Sequence, residues 1–395
     1  MNRRIKSCGR VAAFFAKLIL AYICAVVIKI ARPDLRNVWL IAERGDDARD
    51  NGYFFYRYLR TKHPEVNVWY VINSSSADFQ KLKEYPQKVE HNSFRHFVLY
   101  ALCKVRISSN AWGGDLPYTG YFYKLRKWMN KRKRSVFLQH GITKDCIKHL
   151  FAENTKIDLF VCGALPEFEY VKGAFHYPDG VVAYTGFARF DNLRHIQAKQ
   201  QILFMPTFRK WLQGKSEEEI CASEFVSHWN DMLNNPKLAD LLEKEDVELV
   251  FYPHYVLQPH IHLFHTNSQN IKIAKFAEYD VQQLLKESAL LVTDFSSVFF
   301  DFAYMGKPVI YYQFDRERYI REHYDFTKGY FSYDDMGFGP VCFDAENLIK
   351  QIEASIQSGF VQEQAYADRT EQFFPMRDTQ NCDRIYDAIQ KMLNS

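Results

Sequence analysis

Nine short runs of β-branched and aromatic residues recur along the chain, and longer stretches with helical spacing of apolar residues separate them. This alternation is typical of α/β domains built on a parallel sheet, in which a helix returns the chain to the start of each new strand. The predicted strands are residues 38–42, 68–72, 135–138, 159–162, 181–184, 202–205, 248–251, 290–293 and 309–312.

Nine strands are more than one doubly wound sheet usually holds, and a chain of 395 residues is long enough for two domains. The polar stretch 194–201 separates the fifth predicted strand from the sixth. We therefore predict two doubly wound Rossmann-type α/β domains, at residues 34–195 and 196–395, with a central cleft. Residues 1–33 are expected to form a separate membrane-associating helix.

The N-terminal segment combines a basic start with an apolar stretch. Four cations at positions 3, 4, 6 and 10 precede residues 11–31, which are interrupted by Lys17 and Lys29. A bilayer span needs roughly 20 apolar residues, and a lysine inside it is costly. A signal peptide is disfavoured because no small-residue cleavage site follows. The pattern favours a helix lying in the cytoplasmic leaflet, and a single span stays open because terminal lysines can snorkel.

A second basic segment, 121–134, carries seven cations and no acid, with Tyr121, Tyr123 and Trp128 among them. Cations mixed with aromatic residues suit anionic lipid headgroups, although a solvated helix face gives the same pattern. Nucleic acid is not indicated, because no nucleic-acid-binding motif accompanies the segment. Together the two segments predict an anionic membrane surface as a partner and a peripheral or monotopic location at the cytoplasmic face of the cell membrane.

The eight cysteines are scattered and form no Cys-X-X-Cys pair or His/Cys cluster at metal-ligand spacing. They indicate free thiols in a reducing compartment. Asp46, Asp47 and Asp50 form an acidic loop whose spacing does not match a calcium loop, so we interpret it as a structural or acceptor-side loop. No resident metal or cofactor is predicted, and a divalent cation carried with a phosphorylated substrate is left open.

Polar segments follow most of the predicted strands. They are residues 139–144, 185–191, 206–209, 252–254 and 294–297. Ligands of open α/β sheets bind beyond the carboxyl ends of the strands. We therefore expect segments from both halves of the chain to face the cleft.

Residues 290–305 have the pattern of a strand, a tight turn and a helix that ends at Gly306. Ser296 and Ser297 lie at the start of this helix, where hydroxyls, backbone N–H groups and the helix dipole suit a pyrophosphate. Ordinary helix capping is the better explanation of an isolated serine pair. Asp301 follows one turn into the helix, where it can bond a polyol or ribose hydroxyl.

Two histidines end predicted strands, His140 in the first half and His254 in the second. Imidazole titrates near working pH, so it suits the proton transfer that phosphoryl transfer to an alcohol requires. A second donor or cation would meet the charge that develops on the phosphate. A lone strand-end histidine is more often a loop donor, but two of them, with Arg189 and Arg209 at equivalent positions, favour a catalytic site.

The ordered set of motifs resembles the CDP-glycerol glycerophosphotransferases, which prime and polymerise teichoic acids and build some glycerol-phosphate capsules. The resemblance covers most of the chain. Its motifs are Arg-Gly-Asp-Asp-Ala-Arg-Asp-Asn-Gly-Tyr at 44–53, His-Gly at 140–141, Gly-Phe-Ala-Arg-Phe-Asp at 186–191, Pro-Thr-Phe-Arg at 206–209, Pro-His at 253–254 and Thr-Asp-Phe-Ser-Ser-Val-Phe-Phe-Asp at 293–301. Each motif alone is weak, whereas the ordered set is specific.

The resemblance implies a GT-B-like fold whose C-terminal domain holds most of the donor. It implies His140 as the general base and His254 as the partner at the phosphate. The residues implied to line the CDP-glycerol site are Gly141, Ile142, Thr143, Lys144, Arg189, Pro206, Thr207, Arg209, Ser296, Ser297 and Asp301. The family usually has His-Gly-Thr-Pro-Leu where this chain has His-Gly-Ile-Thr-Lys, so the choice of donor or acceptor is open at those positions.

The implied reaction is attack of an acceptor hydroxyl on the β-phosphorus of CDP-glycerol, with CMP as the leaving group. The acceptor would be a lipid-linked teichoic-acid or capsule precursor. Transfer of ribitol phosphate or another polyol phosphate is the nearest alternative. A nucleotide-sugar glycosyltransferase of the same fold and a catalytically inactive membrane scaffold are the alternatives of other classes. The sequence leaves open whether one unit or many are added.

Overall fold

The computed structural model describes residues 2–32, 35–111, 113, 116–117, 128–193, 198–276, 278–322 and 328–395. The chain divides into two compact units. The first comprises Met1–Ile142, Lys148–Asn192 and Asp378–Ser395, and the second comprises Thr143–Ile147 and Leu193–Arg377. The observed division falls close to the predicted boundary at residue 195, but Asp378–Ser395 belongs to the first unit rather than to the second. The N-terminal helix is also part of the first unit.

The first unit is built on a parallel sheet. Its described strands are β1 (Val38–Ile41), β2 (Val68–Ile72), β3 (Lys88–Glu90), β4 (Cys103–Ser108), β5 (Arg134–Phe137), β6 (Leu159–Cys162) and β7 (Val182–Tyr184). Their order is β3-β2-β1-β4-β5-β6-β7, and each neighbouring pair is parallel. The described helices are α1 (Asn2–Ala31), α2 (Asn51–Lys62), α3 (Phe94–Leu102), α4 (Leu165–Ala174) and the C-terminal helix Asn381–Asn394.

The second unit is also built on a parallel sheet. Its described strands are β8 (Gln201–Met205), β9 (Glu248–Phe251), β10 (Ile271–Ile273), β11 (Leu290–Thr293), β12 (Val309–Tyr312) and β13 (Val341–Cys342). They lie in the order β10-β9-β8-β11-β12-β13, which is the doubly wound Rossmann order. The described helices are α5 (Glu217–Cys221), α6 (Glu224–Leu233), α7 (Pro236–Lys244), α8 (Val281–Glu287), α9 (Val298–Tyr304), α10 (Arg316–Glu322), α11 (Tyr333–Met336), α12 (Ala345–Gln357) and α13 (Gln364–Phe373).

All nine predicted strands are confirmed, with ends that agree to within one residue. Four observed strands were not predicted. Strands β3, β10 and β13 are only two or three residues long, which is too short for a recognisable hydrophobic pattern. Strand β4 contains Lys104 and Arg106, so it lacks the continuous apolar run expected of a buried parallel strand.

Helix α6 fixes the strands that carry the polar motifs of the second unit. Trp229 of α6 is fully buried. Its ring centroid lies 5.9 Å from that of Phe204 on β8, 5.5 Å from that of Phe251 on β9 and 5.6 Å from that of Tyr312 on β12. Large aromatic side chains contribute most to such a core, and here one of them contacts three strands. The loops that follow β8 and β9 therefore start from fixed positions.

One face of α1 belongs to the core of the first unit. Its buried residues are Phe14, Leu18, Ala21 and Ala25, which pack against α3. Lys17 lies beside this face, where its ammonium donates to the backbone carbonyl of Asn92 and lies 4.5 Å from the ring centroid of Phe97. The lysine that would be costly in a bilayer therefore contacts protein instead.

The opposite face of α1 is apolar and exposed. Its side chains Ile19, Leu20, Ile23, Val26, Val27 and Ile30 are each more than half exposed. Within the described residues, Arg10–Ala31 is the one helix that is long and apolar enough to cross a membrane by length and composition. A signal sequence or the core helix of a soluble protein meets the same criterion.

Part of the second basic segment, residues 121–127, lies outside the described residues. In the remainder Trp128, Lys131 and Arg132 are exposed. Lys133 is buried, with its ammonium 4.8 Å from the ring centroid of Tyr100, and burial lowers its pKa to about 8. The prediction that Lys133 belongs to a surface patch is therefore wrong, because its side chain packs inside the first unit.

Candidate active site

The strand order of each sheet reverses once, between β1 and β4 in the first sheet and between β8 and β11 in the second. Helices leave such a point on opposite faces of the sheet, so a crevice opens at the carboxyl ends of the two strands. The acidic loop follows β1, and residues 206–209 and 294–297 follow β8 and β11. The topology thus places three of the predicted motifs at the points where ligands bind in doubly wound folds.

A buried carboxylate joins the two loops at the reversal of the second sheet. Asp294 is fully buried and accepts hydrogen bonds from the backbone N–H of Thr207 at 2.9 and 3.1 Å and from that of Phe295 at 2.6 Å. Its Oδ2 lies 2.8 Å from Nη1 of Arg209. Because these contacts cross from β11 to the loop after β8, Asp294 fixes the position of one loop relative to the other.

Arg209 contacts two carboxylates inside the second unit. Its Nε and Nη2 donate to the two oxygens of Asp315 at 2.7 and 2.9 Å, and its Nη1 donates to the backbone carbonyl of Thr207 at 2.7 Å. The side chain has no exposed surface. The sequence predicts that Arg209 contacts CDP-glycerol. The structure instead places its guanidinium in the interior, where it stabilises the loop 206–209.

Five more residues that the sequence predicts to contact CDP-glycerol lie after β8 and β11 in the second unit. Pro206 and Asp301 are buried, and Thr207, Ser296 and Ser297 are half-buried. The hydroxyl of Ser296 accepts from the backbone N–H of Val298 at 3.4 Å, whereas Ser297 makes no side-chain capping bond to α9.

The buried polar atoms beside the ion cluster include two that have no hydrogen-bond partner. Within the described residues, Oγ1 of Thr207 and Oε1 of Gln313 have no hydrogen-bond partner. An unsatisfied buried polar group costs about 1–3 kcal/mol, so such atoms are uncommon without a functional reason. Both residues border the ion cluster, since Gln313 donates to the backbone carbonyl of Asp294 at 3.1 Å. The reversal of the second sheet therefore offers unused hydrogen-bonding capacity.

His254 follows β9, the strand next to β8. Its Nδ1 accepts from the backbone N–H of Val256 at 3.3 Å, and its ring centroid lies 6.3 Å from that of Phe208. Burial lowers the pKa of His254 below its ordinary value, and the carboxylate of Asp294 partly opposes this effect. With Nδ1 as an acceptor the neutral ring carries its proton on Nε2, so His254 is arranged as a neutral N–H donor.

The division of the chain into two units falls within the loop after His140. Gly141 and Ile142 belong to the first unit, and Thr143 and Lys144 belong to the second. Thr143 is buried. Lys144 pairs with Asp145 at 2.7 Å, and its ammonium lies 5.6 Å from the ring centroid of Tyr333. Lys144, the last of the three positions where the expected pattern is not matched, thus has a carboxylate and an aromatic ring as neighbours.

His140 lies just beyond the carboxyl end of β5 in the first unit. The two residues before it, Leu138 and Gln139, are buried, whereas the side chain of His140 is exposed. Leu138 continues the sheet, because its backbone N–H donates to the carbonyl of Ser108 on β4 at 2.8 Å. An exposed imidazole at this edge is accessible to the hydroxyl group of a substrate.

Arg189 lies in the first unit, in the turn that follows β7. Its side chain is buried, with Nη1 3.1 Å from Oδ1 of Asp50, and its backbone N–H donates to Oδ1 of Asn51 at 3.0 Å. The guanidinium carbon lies 4.9 Å from the ring centroid of Phe187. The sequence predicts Arg189 in the CDP-glycerol site, and the structure places it against the acidic loop with Asp50 as its partner.

The carboxylates of the acidic loop have protein partners. Asp47 pairs with Arg44 at 2.9 Å, and Asp46 accepts a hydrogen bond from the side chain of Asn73. In the part of the chain that the structure describes, no group of three or more His, Cys, Asp or Glu residues is arranged to hold a metal ion. These contacts favour a structural role for the loop.

The motif at 186–191 holds the C-terminal helix. Gly186 has a φ of 77°, and a Cβ atom there would lie 1.7 Å from Oδ1 of Asn381. The carboxylate of Asp191 accepts from the backbone N–H groups of Asn381 and Cys382, each at 2.9 Å, at the start of that helix. The glycine is therefore required by a positive φ and a close approach, and the aspartate acts as a helix cap.

Sequence reasoning missed three polar residues that shape these loops, namely Asn51 and Glu167, which are buried, and Asp315, whose side chain is 8% exposed. Each bonds to a group far along the chain, such as the carbonyl of Gln139 for Asn51 and the guanidinium of Arg209 for Asp315. Local patterns carry no signal for such contacts. A buried charge or amide near a strand end becomes recognisable only when the fold supplies its partner.

The family model described as CDP-Glycerol:Poly(glycerophosphate) glycerophosphotransferase matches residues 24–391. The minor teichoic acid biosynthesis protein GgaB of Bacillus subtilis (strain 168) is 32% identical over 375 residues, which are 91% of this chain and 40% of that protein. The teichoic acid glycerol-phosphate primase of the same strain is 24% identical over 187 residues, which are 47% of this chain and 43% of the primase. The chain therefore spans less than half the length of either relative.

Two solved structures confirm the predicted fold class. The wall teichoic acid polymerase TagF aligns with a TM-score of 0.64 at 16% identity, covering 96% of this chain and 98% of that chain. A putative UDP-N-acetylglucosamine 2-epimerase from Listeria monocytogenes aligns with a TM-score of 0.54 at 14% identity, covering 90% of this chain and 96% of its own. At these identities the alignments show a GT-B-like α/β fold with two parallel sheets, and the fold hosts more than one chemistry. The family match extends over most of the sequence, and the chain belongs to the CDP-glycerol:poly(glycerophosphate) glycerophosphotransferase family.

Proposed function

We propose that this chain transfers glycerol phosphate from CDP-glycerol to a hydroxyl of a lipid-linked teichoic-acid or capsule precursor and releases CMP. The observation that carries the proposal is the arrangement at the reversal of the second sheet. There Asp294 holds the loop of Thr207 and pairs with Arg209, the serine pair begins two residues after Asp294, and His254 follows the neighbouring strand β9. Family membership supplies the class of donor, and the wall teichoic acid polymerase TagF was soaked with CDPG in a histidine-to-asparagine variant.

In the proposed reaction the acceptor hydroxyl attacks the β-phosphorus of CDP-glycerol. A bond forms between the acceptor oxygen and this phosphorus, and the bond from the phosphorus to the bridging oxygen breaks. His140 takes the proton of the hydroxyl, and CMP leaves with the bridging oxygen. His254 donates from Nε2 to the phosphate, which lowers the cost of the charge that develops in the transition state.

The hydroxyl groups of Thr207, Ser296 and Ser297 are proposed to bond the pyrophosphate or the glycerol. The unsatisfied Oγ1 of Thr207 supports this role, because a bound donor would supply its missing partner. Arg209 is proposed to act through the shape of its loop, since its guanidinium contacts Asp294 and Asp315. For Arg189 we likewise propose an indirect role, through its ion pair with Asp50.

Ribitol phosphate is the nearest alternative group, because relatives of this chain include a teichoic acid ribitol-phosphate primase from Bacillus spizizenii. A nucleotide sugar is the alternative donor, because the fold is shared with the epimerase. Neither alternative changes the proposed position of the donor pyrophosphate. The products differ, since a CDP-alditol gives CMP and a nucleotide sugar used by a glycosyltransferase gives a nucleoside diphosphate.

We also propose that the chain acts at a membrane surface, with α1 lying in the plane of the membrane. One face of α1 is already packed on the first unit, so the helix cannot be surrounded by lipid without leaving that core. Its other face presents six exposed aliphatic side chains, and Trp128 lies nearby with its ring centroid 5.4 Å from that of Tyr22. Exposed Lys131 and Arg132 add positive charge beside this surface. Such a combination suits the interface of an anionic bilayer.

The first prediction concerns the reaction. With a lipid-linked disaccharide as the acceptor, the chain should release CMP from CDP-glycerol, and His140→Ala should lower kcat about 100- to 10,000-fold because a general base is lost. His149→Ala is a matched control, since His149 is an exposed histidine of the same unit. Parallel reactions with CDP-ribitol and with UDP-N-acetylglucosamine identify the donor. Release of UDP rather than CMP, or a normal rate for His140→Ala, would contradict the proposal.

The second prediction concerns donor binding. Replacing Ser296 and Ser297 together by alanine should weaken the binding of CDP-glycerol roughly 10-fold, because each hydroxyl contributes about 0.5–1.5 kcal/mol. Titration calorimetry measures the dissociation constant. Ser223→Ala is the control, because Ser223 caps α6 in the same unit through the backbone N–H of Val226 at 3.3 Å. Equal affinity in the double variant and in the control would remove the serines from the site.

The third prediction concerns the protonation of His254. Because burial lowers its pKa, a histidine titration followed by NMR should place it below the ordinary value of about 6.5. The nitrogen shifts of the neutral ring should show the proton on Nε2. Between the folded and unfolded pKa values the unfolded chain binds more protons, so this group makes the protein less stable as the pH falls through that window. A raised pKa, or a proton on Nδ1, would exclude the neutral-donor role.

The fourth prediction concerns the membrane surface. Replacing Ile23, Val27 and Ile30 by glutamine should weaken binding to anionic liposomes about 10-fold or more, because each exposed aliphatic group would otherwise be buried in the interface. Replacing Lys131 and Arg132 by glutamine should remove much of the salt-sensitive part of the affinity. Cosedimentation at two salt concentrations measures both effects.

The matched control for the apolar change is the replacement of Ile320 and Val361 by glutamine. These side chains of the second unit are 68% and 67% exposed, so each replacement removes an apolar side chain of similar exposure without touching α1. Unchanged binding by the α1 variant would overturn the in-plane arrangement. Deletion of residues 1–33 is a poor test, because it also removes the buried residues Phe14 and Leu18 from the core.

A further inference from the structure

The residue before His140 has a conformation that side chains rarely adopt. Gln139 has a φ of 56°, in the left-handed region, and is 1% exposed. Glutamine is not among the residues that favour this region, which are glycine, asparagine and aspartate. Conformations of this kind persist only where the surrounding structure enforces them, and they concentrate at functional sites. The turn that carries His140 is therefore held in place by other groups.

The side chain of Gln139 is one part of that support. Its Nε2 donates to the backbone carbonyl of Val161 at 2.8 Å and to Oε1 of Glu167 at 2.9 Å. Glu167 is fully buried, and its Oε2 accepts from the backbone N–H of Gly163 at 2.6 Å. The amide of Gln139 is thus attached to β6 and to the first turn of α4. A bond to a buried carboxylate is stronger than one between neutral groups.

Asn51 supports the backbone of the same turn from another direction. It is fully buried, and its Nδ2 donates to the carbonyl of Gln139 at 2.7 Å and to that of Leu138 at 3.3 Å. Its Oδ1 accepts from the backbone N–H of Arg189 at 3.0 Å. All the polar atoms of this amide are used to join the turn before His140 to the turn after β7.

The position of Asn51 is itself fixed by its neighbour. The backbone N–H of Gly52 donates to Oε1 of the buried Glu43 at 2.8 Å and to the hydroxyl of Ser109 at 3.0 Å. A Cβ atom on Gly52 would lie 2.4 Å from Oε1 of Glu43. The start of α2 is therefore attached to the segments that follow β1 and β4, which leaves Asn51 little freedom.

We propose that Asn51 and Glu167 are positioning residues, which hold the left-handed turn at Gln139 and thereby fix the imidazole of His140 for its reaction. The proposal rests on the proposed role of His140. Neither residue touches the reacting atoms, since both act through the backbone or the side chain of Gln139. This support fixes the backbone that carries the imidazole, and a small misplacement of a catalytic group lowers the rate strongly.

The central experiment compares Asn51→Ala with Asn230→Ala. Asn230 of the second unit is half-buried and also bonds backbone groups, with Nδ2 to the carbonyl of Leu263 at 2.9 Å and Oδ1 from the N–H of His265 at 3.1 Å. Both variants should lose stability on thermal unfolding. Only Asn51→Ala should lower kcat, by about 10- to 100-fold, while KM for CDP-glycerol stays within about twofold.

A second pair of variants gives a pH signature that a purely structural role would not. In Gln139→Glu two carboxylates face each other, so the rate relative to the wild type should fall at neutral pH and recover as the pH is lowered and the pair takes up a proton. Combining Gln139→Glu with Glu167→Gln restores a contact between an amide and a carboxylate but leaves the carbonyl of Val161 without its donor, so it should regain part of the activity at neutral pH. A pH profile of Gln139→Glu parallel to that of the wild type would overturn the proposal.

The backbone amide of His140 provides a readout that does not depend on turnover. Nitrogen relaxation should show greater motion of this amide in Asn51→Ala and no change in Asn230→Ala. If the wild type releases CMP and Asn51→Ala keeps its kcat and its rigid turn, the positioning proposal is wrong. If the wild type releases no CMP from either CDP-alditol, the proposed function fails, and the relaxation data still decide whether Asn51 holds the turn.

Discussion

The second unit depends on one buried ion cluster, formed by Asp294, Arg209 and Asp315. Burying charges is costly, and replacing such a cluster by apolar groups is often neutral or stabilising, so stability alone does not account for it. Its geometric effect is clear, because Asp294 holds the loop of Thr207 and the backbone N–H of His254 in turn donates to the carbonyl of Pro206 at 3.3 Å. Loops after three neighbouring strands, β11, β8 and β9, are thereby joined. Breaking the cluster by removing one charge costs about 3–5 kcal/mol, which exceeds what most surface contacts contribute.

In the first unit, side-chain amides and buried acids, rather than an ion cluster, join the loops that follow the strands. Asn51 and Gln139 place neutral N–H groups against backbone carbonyls, and the carboxylates of Glu43 and Glu167 accept from backbone N–H groups. Burial, assisted by the charges of Asp50 and Asp47, raises the pKa of Glu43 well above its ordinary value. The two proposed catalytic histidines differ in their surroundings, because His140 is exposed whereas His254 is half-buried and is influenced by the charge of Asp294.

The sequence predicted the fold better than the contacts of individual site residues. Apolar runs identify buried parallel strands because burial on both faces demands continuous hydrophobicity, and β1 and β11 are clear examples. The strand order also predicts that the motifs after β1, β8 and β11 lie where ligands bind in doubly wound folds. Arg189 and Arg209 show the limit, because a strand-end arginine that contacts phosphate has the same local pattern as one that contacts a buried carboxylate. The partners Asp50 and Asp315 lie 139 and 106 residues away along the chain, so only the folded structure identifies them.

The capping of the C-terminal helix by Asp191 has a consequence for how the chain is made. The first unit contains both the N-terminal segment and Asp378–Ser395, with the whole of Leu193–Arg377 lying between them in sequence. A ribosome therefore completes the second unit before it has supplied the last helix of the first. Domains usually fold as units in the order of synthesis, but here the first unit cannot be completed until its C-terminal helix has been synthesised. Until Ile385 and Ile389 of that helix are synthesised, the apolar surface that they cover is exposed to water, and exposed apolar surface of this kind favours aggregation.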